Sequence, residues 1–380
     1  MKEIRCLSVA ALSLCMFLPN NEAHGKCAAW ISVLYRAYPI APWNHIQVSD
    51  NDVLYLHPEV EYAVQLNSEC WTLPYTVELN GVLVDSGATQ AFLPPCCTGL
   101  IWAVTDTGSY QFNAWAQESA SLNIRFVSST ELSSISFLCS GAWLSGAMSG
   151  EYNYARMRTT LSEGELVPIV EPFTDLGWSD ETSGGESMAP AVQMDHYSRI
   201  VDWIRLELLE PNEPYELIHA VNLLLMRDGR LMDSFGEYTL TMEVPPGHYR
   251  MKILHRNHLP ITTAPYFFPG NRIQCDLSVA DLPIPTGDTR RPIGWNKWAL
   301  LAGNAHVSPI EQAISYSGPG NDRDAILQRI GGTNPTATVS GYFNEDVNMD
   351  GVVKYSGVDN DRDVILQAIG GVNPTAVVSE

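Results

Sequence analysis

The chain is poor in charge, and poorest in positive charge. Charged residues make up 17% of its 380, and 22 Lys and Arg stand against 43 Asp and Glu for a formal net charge of −21. Binding to phosphate backbones or anionic headgroups rests on basic side chains releasing counterions, so neither nucleic acid nor a membrane surface is expected as a partner. Beyond the first two dozen residues no apolar run is long enough to cross a bilayer, and no membrane insertion is expected. Catalytic signatures are missing too: there is no His-Glu-x-x-His, no Gly-x-Ser-x-Gly, no phosphate loop and no dinucleotide fingerprint. Nor is there a Cys-x-x-Cys or Cys/His spacing that would suggest zinc. These absences point away from an enzyme.

What is present begins with a leader. Met1-Lys-Glu-Ile-Arg5 precedes an apolar stretch from Leu7 to Leu18, and Ala23-His-Gly25 offers small residues at the positions a signal peptidase reads. Residues 1–25 are therefore expected to be a signal peptide, and the mature protein to be secreted, extracellular or at the cell surface. It would keep Cys27, Cys70, Cys96, Cys97, Cys139 and Cys275, an even set that permits three disulfides without specifying which.

Gly, Pro, Tyr and Trp are plentiful, which suits short strands and turns. From 26 to 130, short alternating segments such as Tyr62-Ala-Val-Gln-Leu66 and Tyr110-Gln-Phe-Asn-Ala-Trp115 predict a β-sandwich, with a type I′ hairpin at Asn80-Gly81. Residues 131–190 are Ser-, Gly-, Glu- and Pro-rich and read as a connecting segment, ordered in part by Trp143, Phe173 and Trp178. A second β-sandwich is expected over 191–285, where Asp202-Trp-Ile-Arg-Leu-Glu-Leu208 alternates and Asp228-Gly229 turns a hairpin. The expected fold class is thus mainly β, with two Ig-like or β-sandwich domains and a small helical module at 286–380.

That module is an internal repeat. Tyr316–Ser340 and Tyr355–Ser379 align without gaps at a period of 39, with 19 of 25 positions identical. In each copy Asn followed three places later by Asp starts a helix, Ile-Leu-x-x-Ile makes one apolar face and Gly-Gly ends it. Helices this short are not stable alone. Ile326, Leu327 and Ile330 are expected to pack against Ile365, Leu366 and Ile369.

Only the second copy carries Asp346-Val-Asn-Met-Asp-Gly351. Oxygen-bearing side chains at the first, third and fifth places, then glycine, match an EF-hand-type loop for Ca2+. Asp346, Asn348 and Asp350 would be ligands, with Val352 adding a carbonyl. The twelfth position is Gly357, so the closing carboxylate comes late: Asp363 aligns best with it, and Asp361 would bind through water. The first copy offers Asn304, His306 and Ser308, with Pro309 in place of the glycine, and is expected to be a decayed site.

These motifs carry a resemblance. The Asp-Val-Asn-x-Asp-Gly loop and Asn-Asp-Arg-Asp, with Leu166 to Gly177, Ile200 to Leu208 and His255-Arg-Asn-His-Leu259 upstream, resemble a Bacteroidota family of secreted and cell-surface proteins with a dockerin-like C-terminal calcium module. The resemblance covers roughly residues 140–380. It implies a non-catalytic, calcium-stabilised architecture for attachment or assembly, with a protein partner: a cohesin-like receptor, another surface component or the protein itself.

Two alternatives remain. Val82-Leu-Val-Asp-Ser-Gly-Ala-Thr89 resembles the active-site signature of retropepsin-like aspartic proteases, with Asp85 as catalytic residue. Such chemistry needs two carboxylates sharing a proton, the chain holds one such motif, and Asp-Ser-Gly is also ordinary turn chemistry. A carbohydrate-binding module protein is the other, with a glycan stacked on exposed Trp and Tyr; yet Trp71, Trp102, Trp115 and Trp203 lie in strand-like runs where an aromatic is usually core. His255 and His258 are close enough to suggest a metal pair, but a structural turn accounts for them as well.

Overall fold

Alternation every second residue sends one set of side chains to each face of a strand, and this device builds nearly all of the fold. The computed structural model describes residues 29–37, 44–46, 48–56, 60–68, 72–90, 98–115, 119–127, 133–148, 156–178, 180–268, 273–285, 287–294, 296–306 and 312–379. The expected signal peptide lies outside these, as do Cys27, Cys70, Trp71, Cys96 and Cys97. The chain divides into two units, Met1–Ser128 and Ser129–Glu380. It is mainly β, and no described helix is long and apolar enough to cross a membrane.

The described strands of the first unit are β1 (Ala29–Ala37), β2 (Asn44–Ile46), β3 (Asp52–Tyr55), β4 (Val60–Ser68), β5 (Thr72–Leu79), β6 (Val82–Gln90), β7 (Thr98–Val104), β8 (Gly108–Ala114) and β9 (Ala120–Val127). They form a four-stranded sheet, β2-β1-β4-β7, and a five-stranded one, β3-β9-β8-β5-β6. The two meet through aromatic side chains. Tyr62 on β4 contacts Phe126 on β9 edge-on at 5.7 Å between ring centroids, and Trp102 on β7 contacts Tyr110 on β8 at 5.4 Å. At the expected hairpin, Asn80 and Gly81 both take positive φ, 52° and 78°, as a type I′ turn requires.

In the second unit the strands are β10 (Ile135–Ser140), β11 (Ile200–Leu209), β12 (Leu217–Met226), β13 (Leu231–Met232), β14 (Thr239–Met242), β15 (Gly247–His255), β16 (His258–Thr262), β17 (Tyr266–Phe268) and β18 (Ile273–Asp276). A hairpin β19 (Arg291–Gly294) and β20 (Lys297–Ala299) leads to the tail strands β21 (Ala313–Ser315), β22 (Thr338–Ser340), β23 (Val352–Lys354) and β24 (Val377–Ser379). Among the described residues four α-helices complete it: α1 (Thr160–Glu163), α2 (Pro190–Asp195), α3 (Asp322–Arg329) and α4 (Asp361–Ala368). β10 lies between β14 and β18 in one sheet, while β13-β12-β11-β15-β16 form the larger, with β17 also on β15.

Residues 131–190 are more than a connection. They supply β10, α1 and a long segment laid along β11. The cause is a set of buried donors on the sheet. Trp203 Nε1 donates to Pro168 O at 2.8 Å, Arg205 reaches Asp180 and, at 2.6 Å, Ser183 Oγ, and Asn222 Nδ2 donates to Glu186 at 2.9 Å. The Ser- and Glu-rich composition that reads as linker supplies the acceptors those donors need.

The tail is not walled off at 286 either. Ile326, Ile330, Ile365 and Ile369 are buried in one cluster with Val347, Val353, Leu259 and Leu301, and Leu327 and Leu366 pack against it. Strand pairs β21·β24 and β22·β23 frame the helices, and Ser317 Oγ donates to Pro374 O just as Ser356 Oγ donates to Pro335 O, both at 2.6 Å. Each serine bonds the other copy, so the two repeats close on one another about a pseudo-two-fold axis.

Candidate functional site

The loop from Asp346 to Asp361 turns where Met349 and Gly351 take positive φ, 58° and 84°. Val347 and Met349 are both buried, Val347 in the core shared by the repeats, and Asn348 between them is buried as well. Asp346 is fully buried and accepts from Asp350 N at 3.0 Å and Gly351 N at 2.9 Å. Asn348 Oδ1 accepts from Asp350 N at 2.8 Å, and its Nδ2 donates to Asp359 O at 2.7 Å. Asp350 accepts from Val352 N at 2.9 Å and from Lys354 Nζ at 2.8 Å.

The structure closes this loop with Asp361 and turns Asp363 away. Asp361, at the first position of α4, accepts from Asn348 N at 3.2 Å and Lys354 N at 2.8 Å. Asp363 takes part in the helix cap instead, accepting from Asn360 Nδ2 at 2.8 Å and Arg362 Nη2 at 3.0 Å, with its side chain 48% exposed. Alignment favours Asp363, but a side chain two positions further round the helix points a different way. Val352 opens β23, paired with Ser340.

Burial pushes the Asp346 carboxyl up to about 6, against the opposing effect of the Arg256 charge. Burial and then the charge of Asp346 push Asp361 up to about 8. Partial burial also works against Asp363, yet hydrogen bonds from Asn360 and Arg362 hold it below the usual range. Two buried carboxyls in one loop, with the charge of Asp346 opposing the ionisation of Asp361, are a donor set suited to a hard cation. Among the described residues no three His, Cys, Asp or Glu side chains already converge as a metal cluster. The carboxylates here are spent on backbone N–H groups, and one oxygen of Asp350 on an ammonium.

The outside of the loop is gripped by the β structure. Arg158 Nη2 donates to Asn348 O at 2.6 Å and to Gly146 O at 2.7 Å. Asn257 Nδ2 donates to Asp346 O at 2.7 Å, and Arg256 Nη1 to Phe343 O. Asn257 O in turn accepts from Gly303 N and Asn304 N, at 3.1 and 3.2 Å, so this one residue ties both repeats. Behind it Arg256 pairs with Asp202 at 2.8 Å, and Tyr342 OH donates to the same carboxylate. Although burial opposes it, the Arg256 charge and the hydrogen bond from Tyr342 hold Asp202 down to about 2.

His255 and His258 belong to this seam. Gly146 N donates to His258 Nε2 at 3.1 Å, which leaves the proton on Nδ1, 2.7 Å from Asn257 Oδ1. His255 Nε2 stands 3.2 Å from Asp202 but off the hydrogen-bond direction. Burial lowers both imidazoles, His258 furthest, so they serve as neutral spacers. Arg158, Asp202 and Tyr342 carry no sequence signal of this role; the His-Arg-Asn-His run does, with Arg256 and Asn257 as its working members.

In the first copy, Asp322 accepts from His306 N at 2.8 Å and Ser315 N at 2.7 Å, matching Asp361 bond for bond. Its neighbour is the neutral Asn304 where the second copy has Asp346. Ser308 and Pro309 lie outside the described residues.

The other candidates find different places. Asp85 lies within β6, which runs on to Gln90 without turning, and Tyr75 OH donates to it at 3.4 Å. Trp203 is fully buried, Trp102 packs on Tyr110 and Phe112, and Trp115 is 45% exposed. No family model and no curated protein matches this chain.

Proposed function

We propose that the chain is an exported, non-enzymatic surface or extracellular protein of structural or adhesive role, with Ig-like β units and a dockerin-like tail that Ca2+ stabilises for attachment or assembly. One observation carries this reading: Asp346 and Asp361 are buried together in a loop whose Asn348 and Asp350 add further oxygens. Asp346, Asn348, Asp350 and Asp361 would hold the ion; it would supply the charge that lets both buried carboxyls ionise. Lys354 now covers one oxygen of Asp350 and competes with any cation there. Asp363 is left out of the ligand set. The partner is a protein, and the paired repeat helices are the surface offered to it.

Titration calorimetry of the full chain with calcium chloride tests the ion. One equivalent bound by the parent chain, and none by Asp346→Ala, is expected; equal binding by both sinks the assignment. Washing producing cells with a calcium chelator tests attachment, and release of the protein into the wash is expected.

A further inference from the structure

Beyond calcium, the second unit holds another pair of residues that the fold brings together. Cys139 and Cys275 are the two cysteines of residues 129–380, separated by most of the unit in sequence. Yet β10 and β18 run parallel in a register that sets Cys139 directly opposite Cys275. Register partners in one sheet project to the same face, and adjacent strands lie ~4.8 Å apart. That spacing falls inside the ~4.4–6.8 Å window of Cα separations that a disulfide spans.

Both side chains are buried, at 3% and 4% exposure, on the core-facing side of β10 with Ile135 and Phe137. The two thiols stand free and side by side in this structure. We propose that Cys139 and Cys275 form a disulfide that fastens β10 to β18. The remaining cysteines of the expected mature chain, Cys27, Cys70, Cys96 and Cys97, all fall in the first unit, so parity within each unit is kept.

The step is thiol–disulfide exchange. Each cysteine loses its proton, one S–S bond forms between them, and the two electrons pass to a disulfide oxidant, which leaves as two thiols. Burial raises both thiols, Cys275 to about 12 and Cys139 well above its ordinary value, so the thiolate that attacks is scarce once the sheet has closed. Formation therefore belongs to folding, before β18 seals against β10. None of this depends on the calcium reading. The compartment decides only whether an oxidant is met.

Refolding the full chain in a glutathione redox buffer, followed by acid quench, alkylation in denaturant and peptide mapping without reduction, tests it. A cross-linked peptide pair carrying Cys139 and Cys275 is expected. Alkyl groups on both, or Cys139 joined to Cys27, Cys70, Cys96 or Cys97, would overturn the assignment. A second measurement guards against a misfolded preparation: reductant should lower the melting temperature of the oxidised second unit by roughly 5–15 °C. A Cys139→Ser/Cys275→Ser variant should melt where the reduced chain does and ignore reductant; a reductant shift that survives in it also overturns the proposal.

Discussion

Removing divalent cations from the full chain should destabilise the second unit, and more so as pH rises. Asp346 stands at about 6 and Asp361 at about 8, against an ordinary 3.8. A carboxyl raised in the folded state keeps a proton that the unfolded chain has already released. Without metal, stability is therefore undiminished below about pH 4 and is lost as pH climbs through about 6 and about 8. Burial raises both, and the Asp346 charge adds to the rise of Asp361, so the two effects are not summed; the smaller alone corresponds to about 3 kcal/mol. A divalent cation held by these residues would cancel that penalty, and mass action would add to its stabilising effect. For a unit of this size, about 3 kcal/mol moves the melting temperature by roughly 6–12 °C. Scanning calorimetry in calcium-free and calcium-containing buffer should show a narrow gap near about pH 5 and a wide one near about pH 8. Coincident melting of the second unit in both buffers at the higher pH would refute the reasoning.

Ligand choice is separable from helix capping: Asp361→Ala should abolish calorimetric calcium binding, whereas Asp363→Ala should keep it and lose about 1 kcal/mol of helix capping in urea unfolding. Arg158→Met removes the donor shared by Asn348 O and Gly146 O, so urea unfolding should report a loss of about 2 kcal/mol and calorimetry a weaker calcium affinity. Asp202→Asn leaves the buried Arg256 without its counter-charge and should cost about 3–5 kcal/mol. The parent chain should show the same carboxylate in acid: Asp202 is depressed to about 2, so its contribution is present above about pH 4 and fades as pH falls through about 2, visible as an acid unfolding step that Asp202→Asn lacks.

The repeat was legible because its signals are local. Asn321 and Asn360 cap α3 and α4, accepting from Asp324 N and Asp363 N, and the isoleucines of both copies share one core, as spacing alone implied. The hairpin at Asn80-Gly81 was legible for the same reason. Residues 131–190 were not, since their order comes from donors on β11 and β12 more than twenty residues away, and composition does not record where acceptors will be needed. The closing carboxylate was half legible. Sequence offered Asp361 and Asp363, and only the direction in which α4 leaves the loop separates them.

The division of labour within the loop explains why the tail is no free-standing module. The β structure binds its backbone carbonyls, Phe343 O through Arg256, Asp346 O through Asn257 and Asn348 O through Arg158. Its carboxylates are left to backbone N–H groups of the loop itself and to Lys354. A cation would thus compete with the loop's own N–H groups and Lys354, while the clasp fixes the frame that presents the carboxylates. Because Asn257 also accepts from Gly303 N and Asn304 N, loosening the second loop releases a partner of the first. Folding of the tail and order in the β15–β16 turn are therefore coupled, and a metal held at Asp346 and Asp361 would stabilise both.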